Sequence, residues 1–447
     1  MDRSSALTEQ FLSSLPQADH ALPNFIQAIR EVATDVMTVE KNNADWTAAR
    51  VLNRLAEPDR VISFRVTWED DDGAVQINRG WRVQGSNVIG PYKGGLRFHP
   101  GVTLDDLRFL AFEQCFKNAL TGLPLGGAKG GADFDPRGRS RSEIMRFCQA
   151  FMRALAPFIG PDKDVPAGDI NVGTEEIGNL FGAWAQQAGL YQGALTGKGL
   201  SYGGSAVRTE ATGYGLIYFL QAMLERMGEA LEDKRIAISG KGNVARHAAA
   251  KAMALGAKVI ALSDTAGTIH AADGLSRDAL DWVAERKSAG ESLGPLPNRI
   301  DAEFAEGATP WEYPADIALP CATQNEIDAD QAQALVDNGV TLLAEGANMP
   351  TTADGLRVLR KHSVTYAPGK AANAGGVAVS GLEMSQMSQR RFMSADEVDT
   401  ALKGIMADIH ARVSEDGQRS GGVNYARGAN VAAYRRLASA ITAQGVL

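Results

Sequence analysis

Cysteine is scarce: Cys115, Cys148 and Cys321 are the only three in 447 residues. They are too few and too scattered for a disulfide framework or a cysteine-based metal site. The six histidines include no His-x-x-x-His pair, so no metal is expected. No apolar run approaches the ~18 residues that a membrane helix requires, which argues against a membrane partner. The opening Met-Asp-Arg-Ser-Ser-Ala-Leu-Thr-Glu-Gln lacks the basic start and apolar core of a secretion signal, and it is not arginine-rich like a transit peptide. Long basic runs are missing too. The formal charge of −8 is spread along the chain, leaving nothing to track a phosphate backbone, so no nucleic-acid partner is expected. Together these absences point to a reducing, cytoplasmic setting.

What is present is ordinary for a soluble globular chain, with 45% hydrophobic and 22% charged residues over a length sufficient for two or three domains. The 48 glycines are clustered, not periodic, which excludes collagen and suggests tight loops near ligands.

The densest cluster is Leu123 to Pro136, Leu-Pro-Leu-Gly-Gly-Ala-Lys-Gly-Gly-Ala-Asp-Phe-Asp-Pro, where Lys129 stands between two glycine pairs. The expectation is a loop that presents its ammonium after a buried helix, Leu104 to Leu120; the bland alternative is a surface turn. A phosphate-cradling P-loop is excluded, because Ala128 separates glycine from lysine and Gly130 takes the hydroxyl position.

Residues from about Leu7 to Arg54 carry helical spacing and read as packing helices. Val61 to Trp68 and Val75 to Val83 read as paired strands around a turn at Asp70 to Gly73. Lys93 follows beside Gly94 and Gly95. Thr103 can cap the Leu104 to Leu120 helix, on which Gln114 and Lys117 share a face; Glu113 is an alternative ion-pair partner for Lys117. After a further helix, Ser142 to Leu155, Asp169 falls in a loop beyond Pro166 and Gly168. It is either a turn-former or a carboxylate able to reach Lys129. Gly193 to Gly213 is loose in composition, the best candidate for a boundary or hinge.

Beyond it, Thr212 can cap a helix to about Met227. Arg235 to Ser239 is a short strand leading into Gly240-Lys-Gly242-Asn243-Val244-Ala245, an alanine-rich helix, a strand Lys258 to Leu262, and Asp264. A lone Gly-x-Gly-x-x-Ala is weak evidence. With strand, helix, second strand and trailing acid in order it becomes a dinucleotide-binding fingerprint, in which the glycines admit the pyrophosphate to a helix N-terminus and the acid lies near the ribose. Further short apolar runs, Asp316 to Leu319, Val340 to Ala344 and Val364 to Ala367, alternate with helical stretches as a parallel sheet requires. Cys321 reads as a packing residue. Gly375 to Met387 opens a helix bearing Ser380, and the remainder reads as helical.

A dinucleotide site implies hydride transfer, with Lys93, Gln114 and Lys117 as anchors for carboxylates and Lys129 and Asp169 as an acid/base pair.

The segments Gly90-Pro-Tyr-Lys-Gly-Gly, Leu-Pro-Leu-Gly-Gly-Ala-Lys-Gly-Gly, Asp-Val-Pro-Ala-Gly-Asp, Thr-Gly-Tyr-Gly, Gly-Lys-Gly-Asn-Val-Ala, Glu-Gly-Ala-Asn-Met-Pro-Thr-Thr and Asn-Ala-Gly-Gly-Val-Ala-Val-Ser-Gly-Leu-Glu-Met together resemble the hexameric glutamate dehydrogenases, most closely the small NADP-dependent bacterial and fungal type. The resemblance runs from about Arg30 to the C-terminus. It implies two α/β domains: a substrate-binding and oligomerisation domain (1–200, with a helix at 425–447 packing back) and a Rossmann-like, doubly wound dinucleotide-binding domain (201–424). These would be hinged near residue 200 about a cleft that closes.

The resemblance also implies roles. Lys129 would activate a water and Asp169 would shuttle a proton. Gln114, Lys117 and the backbone of Gly168 would hold the α-carboxylate, and Lys93 with Ser380 the distal one. Thr212, Gly240, Gly242, Asn243, Val244 and Asp264 would bind the coenzyme, with Asn348 near the nicotinamide. The reaction would interconvert L-glutamate with 2-oxoglutarate and ammonium through an imine, in a homohexamer.

Asp264 alone predicts NAD, since a carboxylate repels a 2′-phosphate. Ser263-Asp264-Thr265 nevertheless resembles the NADP branch, with Arg137, Arg139, Arg286 or Lys287 as compensating cations, so NADP is favoured and NAD remains the alternative. Two rival readings are an amino-acid dehydrogenase with an apolar side-chain pocket and a non-catalytic dinucleotide sensor.

Overall fold

The computed structural model describes residues 3–297 and 300–446. It divides into two compact units: one runs to Ala206 and takes in Val379–Val398 and the stretch from Asn430, and the other comprises Val207–Ala378 and Asp399–Ala429.

The first unit is built on a five-stranded sheet: β1 (Arg60–Glu69), β2 (Val75–Ser86), β3 (Tyr92–Phe98), β4 (Gly127–Ala132) and β5 (Asp164–Gly168), in the order β1-β2-β4-β3-β5. Alternating β-branched and aromatic residues make β1 and β2 an antiparallel pair. Asp70 closes their turn by accepting from the backbone N–H of Ala74 at 2.8 Å. β4 runs antiparallel to β2 and parallel to β3, so it lies in the middle of the sheet.

One sheet face packs on the Leu104–Leu120 helix through Trp81, Val83, Leu107 and Ala111. The opposite face carries Phe98 against Phe134, Phe147 and Phe151, where Phe134 and Phe147 stack with centroids 3.8 Å apart. Thr103 caps the Leu104–Leu120 helix in a reciprocal box with Asp106, and Ser140 does the same with Glu143 for Arg141–Leu155. All three cysteines are buried free thiols.

The second unit carries seven strands: β6 (Arg235–Ile238), β7 (Lys258–Asp264), β8 (Gly267–His270), β9 (Glu303–Glu306), β10 (Ile317–Leu319), β11 (Leu342–Ala344) and β12 (Thr365–Ala367), in the order β12-β11-β10-β6-β7-β8-β9. The five from β12 to β7 are parallel, as their apolar runs predict. The antiparallel β8 and β9 depart from the all-parallel expectation. They close one end of the sheet, with β9 at its edge, and are four residues each, too short to show periodicity. A two-residue hairpin, Gln418–Arg419 with Gly422–Val423, likewise interrupts the expected helical tail.

The chain starts at β6, winds one way to β7 and the other way to β10, so the order reverses between β6 and β10. That reversal is where doubly wound sheets open a crevice at their carboxyl ends. Thr212 does not cap its helix. Ala211–Met227 begins one residue earlier, on Glu210, whose carbonyl accepts from Tyr214 at 2.9 Å, so Thr212 falls inside the first turn and its hydroxyl lies against Gly376.

Candidate active site

Lys129 is not on a loop. It sits in β4, every residue of which is buried, and is itself 4% exposed. The flanking glycines serve packing and not flexibility. A side chain at Gly127 would strike Cys115 of the Leu104–Leu120 helix, and one at Gly131 would strike the carbonyl of Arg97. Lys129 is registered opposite Val83, which packs on Ala111 of that helix. Directly opposed residues project to one face, so the ammonium issues on the side that carries Gln114 and Lys117.

There it meets Asp169, just past the end of β5, with Nζ 2.8 Å from Oδ1. A second cation grips the other oxygen: Nε of Arg97, on β3, donates to Oδ2 of Asp169 at 2.8 Å. Gly95 is what lets β3 come this close, since a Cβ there would lie 2.8 Å from the Asp169 Cβ. Arg97 was not foreseen as a site residue. Its only sequence signal is its place shortly after Lys93, with which it shares β3.

Burial pushes the Lys129 ammonium below the ordinary lysine range; Asp169 opposes this, while Arg97 and Arg82 reinforce it. For Asp169 burial acts upward, but the charges of Lys129 and Arg97 outweigh it and hold the carboxyl well below the usual carboxylate range. Arg82 is itself spent on Asp164, both fully buried, with Nε 2.9 Å from Oδ2. The site therefore keeps an ionised carboxylate beside a lysine that gives up its proton unusually easily, the pairing that proton transfer at neutral pH needs.

The remaining predicted substrate residues lie in the same unit. Lys93 is 1% exposed on β3, and its carbonyl accepts from Asn118 at 3.1 Å. Gln114 donates to Asn118 at 2.7 Å, and Lys117 lies one turn along the same helix. Gly168 ends β5 where a Cβ would strike the carbonyl of Val172.

Ser380 is buried on the Gly375–Gln389 helix, beside Gly381, which packs on Leu123 and Leu125 just before β4. One turn on, Glu383 forms a fully buried pair with Lys198 at 2.6 Å and accepts from the backbone N–H of Gly197 at 2.9 Å. The Gly193 to Gly213 segment is thus pinned there, though its composition reads as loose.

In the second unit the fingerprint lies at the reversal point. Gly240 has φ +88°, which suits glycine, and a Cβ there would come 3.2 Å from Ala322 beyond β10. Around Gly242 a Cβ would meet nothing within 4 Å. The Asn243–Ala254 helix starts there without a side-chain cap, because its N-cap residue is Gly242; the Asn243 Oδ1 accepts from Arg246 instead. Its first N–H groups, including that of Val244, are left for an anion. Ala245 is fully buried, and Gly213 permits close helix packing, since a Cβ there would lie 2.5 Å from the Ala248 nitrogen.

Beyond β11 and β12, the Asn373 Nδ2 donates to the Oδ1 of Asn348 at 3.2 Å, while its own buried Oδ1 has no partner among the described residues. Such an orphaned acceptor at the strand ends fits the carboxamide of a nicotinamide. Asn373 is a second residue to which the sequence reading assigned no role. The cation beside Asp264 is also not among those expected. It is Lys241, inside the fingerprint, whereas Arg137 pairs with Asp135, Arg139 with Glu143 and Arg286 with Glu291.

Two family models match the chain: Glu/Leu/Phe/Val dehydrogenase, dimerisation domain, over residues 58–186, and Glutamate/Leucine/Phenylalanine/Valine dehydrogenase over 203–445. The chain is 52% identical to the NADP-specific glutamate dehydrogenase of Psychrobacter sp. over 95% of this chain and 96% of that one. It is 50% identical to the NAD(P)-specific glutamate dehydrogenase of Xylanibacter ruminicola, with the same coverage of each. The solved glutamate dehydrogenase of Plasmodium falciparum superposes with a TM-score of 0.96 at 41% identity, covering 99% of this chain and 96% of that one. Chemistry, fold and likeness agree, and the chain belongs to the glutamate/leucine/phenylalanine/valine dehydrogenase family.

Proposed function

We propose that this protein is an NADP-dependent glutamate dehydrogenase that interconverts L-glutamate with 2-oxoglutarate and ammonium. The observation that carries the reading is the direct contact of Lys129 with Asp169 on a buried strand, in the unit that also buries Lys93 and Ser380. Two buried polar groups suit a substrate whose far end is a carboxylate, because that charge is expensive to bury without partners.

When bound, the coenzyme supplies the hydride acceptor for the Cα–H of glutamate. The residues of this chain do the rest. Lys93 and Ser380 hold the distal carboxylate, and Gln114, Lys117 and the Gly168 backbone hold the α-carboxylate. Asp169 takes a proton from the amino nitrogen as the C=N bond forms. Lys129, in its neutral form, takes a proton from the water that adds to the protonated imine; Asp169 returns its proton to the amine of the adduct, the C–N bond breaks as the carbonyl forms, and the adduct's hydroxyl proton leaves with the departing ammonia as ammonium, Lys129 giving its proton to solvent. Thr212, Gly240, Gly242, Asn243, Val244 and Asp264 bind the coenzyme, with Asn348 and Asn373 at the nicotinamide end.

We also place the protein in the cytoplasm and as a homohexamer. The first is supported by the reduced, buried cysteines. The second is supported by exposed Val61, Val75 and Ile77 on β1 and β2, within the stretch that matches a dimerisation domain.

The test is absorbance loss at the reduced-nicotinamide band on mixing protein, 2-oxoglutarate, ammonium and NADPH or NADH. Lys129→Ala should lower turnover by about 10³-fold or more while leaving NADPH binding nearly intact. Turnover with a branched-chain 2-oxo acid and none with 2-oxoglutarate would move the protein to another branch of the family. No turnover with either coenzyme would make it a sensor.

A further inference from the structure

Overall likeness does not decide the coenzyme, since relatives at 50% and 52% identity carry different coenzyme names. The choice therefore rests on few residues, and one of them makes a specific pairing here. Lys241 occupies the variable position between the two fingerprint glycines, and its ammonium is bonded to the carboxylate of Asp264. It also donates to the carbonyl of Glu291 at 2.6 Å. Asp264 is further engaged by the backbone N–H groups of Ala266 at 2.9 Å and Leu293 at 2.8 Å.

The acid that would bond a ribose hydroxyl and repel a phosphate is therefore already neutralised and largely occupied. The ammonium, with two protons committed, keeps a third, and the Lys241 side chain is 18% exposed against 6% for Asp264. Arg286, another of the expected cations, is tied to Glu291 and to the carbonyl of Ser292.

We propose that Lys241 is the specificity residue that admits the 2′-phosphate of NADP, by neutralising Asp264 and pairing with the phosphate itself. The proposal rests on the dinucleotide reading given above. Lys241 serves both functions from one position because the fingerprint turn and the end of β7 lie side by side at the carboxyl edge of the sheet. A lone acid there selects NAD; an acid with a lysine bound to it offers a 2′-phosphate a counter-charge and a proton.

The test uses adenosine fragments in place of turnover. Calorimetric titration of the full-length protein with 2′,5′-ADP and with 5′-AMP reads the 2′-phosphate directly. The wild type should bind 2′,5′-ADP at least ~10-fold more tightly. Lys241→Met should remove at least ~10-fold of that affinity while leaving 5′-AMP within about 2-fold, and it should reduce the dependence of 2′,5′-ADP binding on sodium chloride. Lys241→Arg should retain the preference, and Asp264→Asn added to Lys241→Met should restore part of the loss.

Equal weakening of both nucleotides by Lys241→Met would assign the lysine to the turn's structure and overturn the proposal, as would unchanged 2′,5′-ADP binding. A wild type that prefers 5′-AMP would overturn it while leaving the dinucleotide site standing. Binding of neither fragment would overturn both. If Lys241→Met does not fold, Lys241→Ser carries the same expectations.

Discussion

Asp169 is held by two cations at once, and Arg97 influences how its neighbour Lys129 titrates. Replacing Arg97 with Gln removes a positive charge that holds the Lys129 pKa down, so that pKa rises. Deamination requires neutral Lys129, so the rising limb of its pH–rate profile should move to higher pH. Turnover near neutrality should fall about 10- to 100-fold and recover in part at alkaline pH. A loss of the same size at every pH would mean that Arg97 only props up the loop. Lys129 and Lys93 were legible as residues because few lysines stand among so many glycines. Their surroundings were not, since the same glycines suit a flexible turn or a crowded strand. Arg97, Lys241 and Asn373 were given no role of their own for a simpler reason. A single charge or amide in a polar stretch reads as solvated until the chain path reveals its partner.

The glycines of β4 make the element-scale case. Gly130 and Gly131 allow neighbouring backbone to approach the strand, and a side chain at Gly131 would press on the Arg97 carbonyl, a rigid obstacle. Gly131→Ala should cost roughly 1–3 kcal/mol in urea denaturation and lower activity by displacing Arg97 from Asp169. Unchanged stability would show that β3 yields freely. Strands with β-branched alternation, such as β1 and β2, could be placed from the sequence because the pattern itself carries the pleat. β4 has no such pattern, reading Gly-Ala-Lys-Gly-Gly-Ala, and was read as a loop. The helix from Leu104 was placed with its start because the Thr103 cap and the acidic first turn are encoded locally, whereas the next helix was read from Ser142, one residue inside its observed start, with its Ser140 cap unassigned. The pinning of Gly197 and Lys198 to Glu383 joins residues far apart in the sequence, so local composition could not report it.

At the scale of the whole molecule, the parallel sheet followed from the alternation of short apolar runs with helices, and its doubly wound order from the resemblance. The resemblance implied that the helix at 425–447 packs back, but the return of Val379–Val398 to the first unit left no compositional trace, because a helix looks alike whichever unit it joins. The dependence of stability on acid is likewise a property of the whole fold. His410 is buried with Tyr425 and Ser414, each 3.2 Å from its Nε2, and burial, with some help from Arg226, lowers its pKa to about 4. In the unfolded chain it titrates near 6.5, so as pH falls the unfolded state takes up the proton first. The His410 contribution should therefore be complete above about pH 6.5 and decline toward pH 4. Asp169 and Asp264 have lowered folded pKa values, and theirs is lost only as pH drops through the carboxylate range. Urea midpoints at pH 7 and pH 5 should differ, and His410→Gln should narrow that gap; an unchanged gap would assign the acid sensitivity elsewhere.

The buried thiols give the experimenter an unplanned convenience. Each is sealed from solvent, and burial pushes the Cys115 thiol up to about 12 and those of Cys148 and Cys321 higher than an ordinary thiol as well. A maleimide dye should leave the native protein almost unmarked and count three equivalents once guanidinium opens it. One cysteine engineered onto an exposed helix would then be the sole handle for a fluorophore or spin probe, with no native residue removed first.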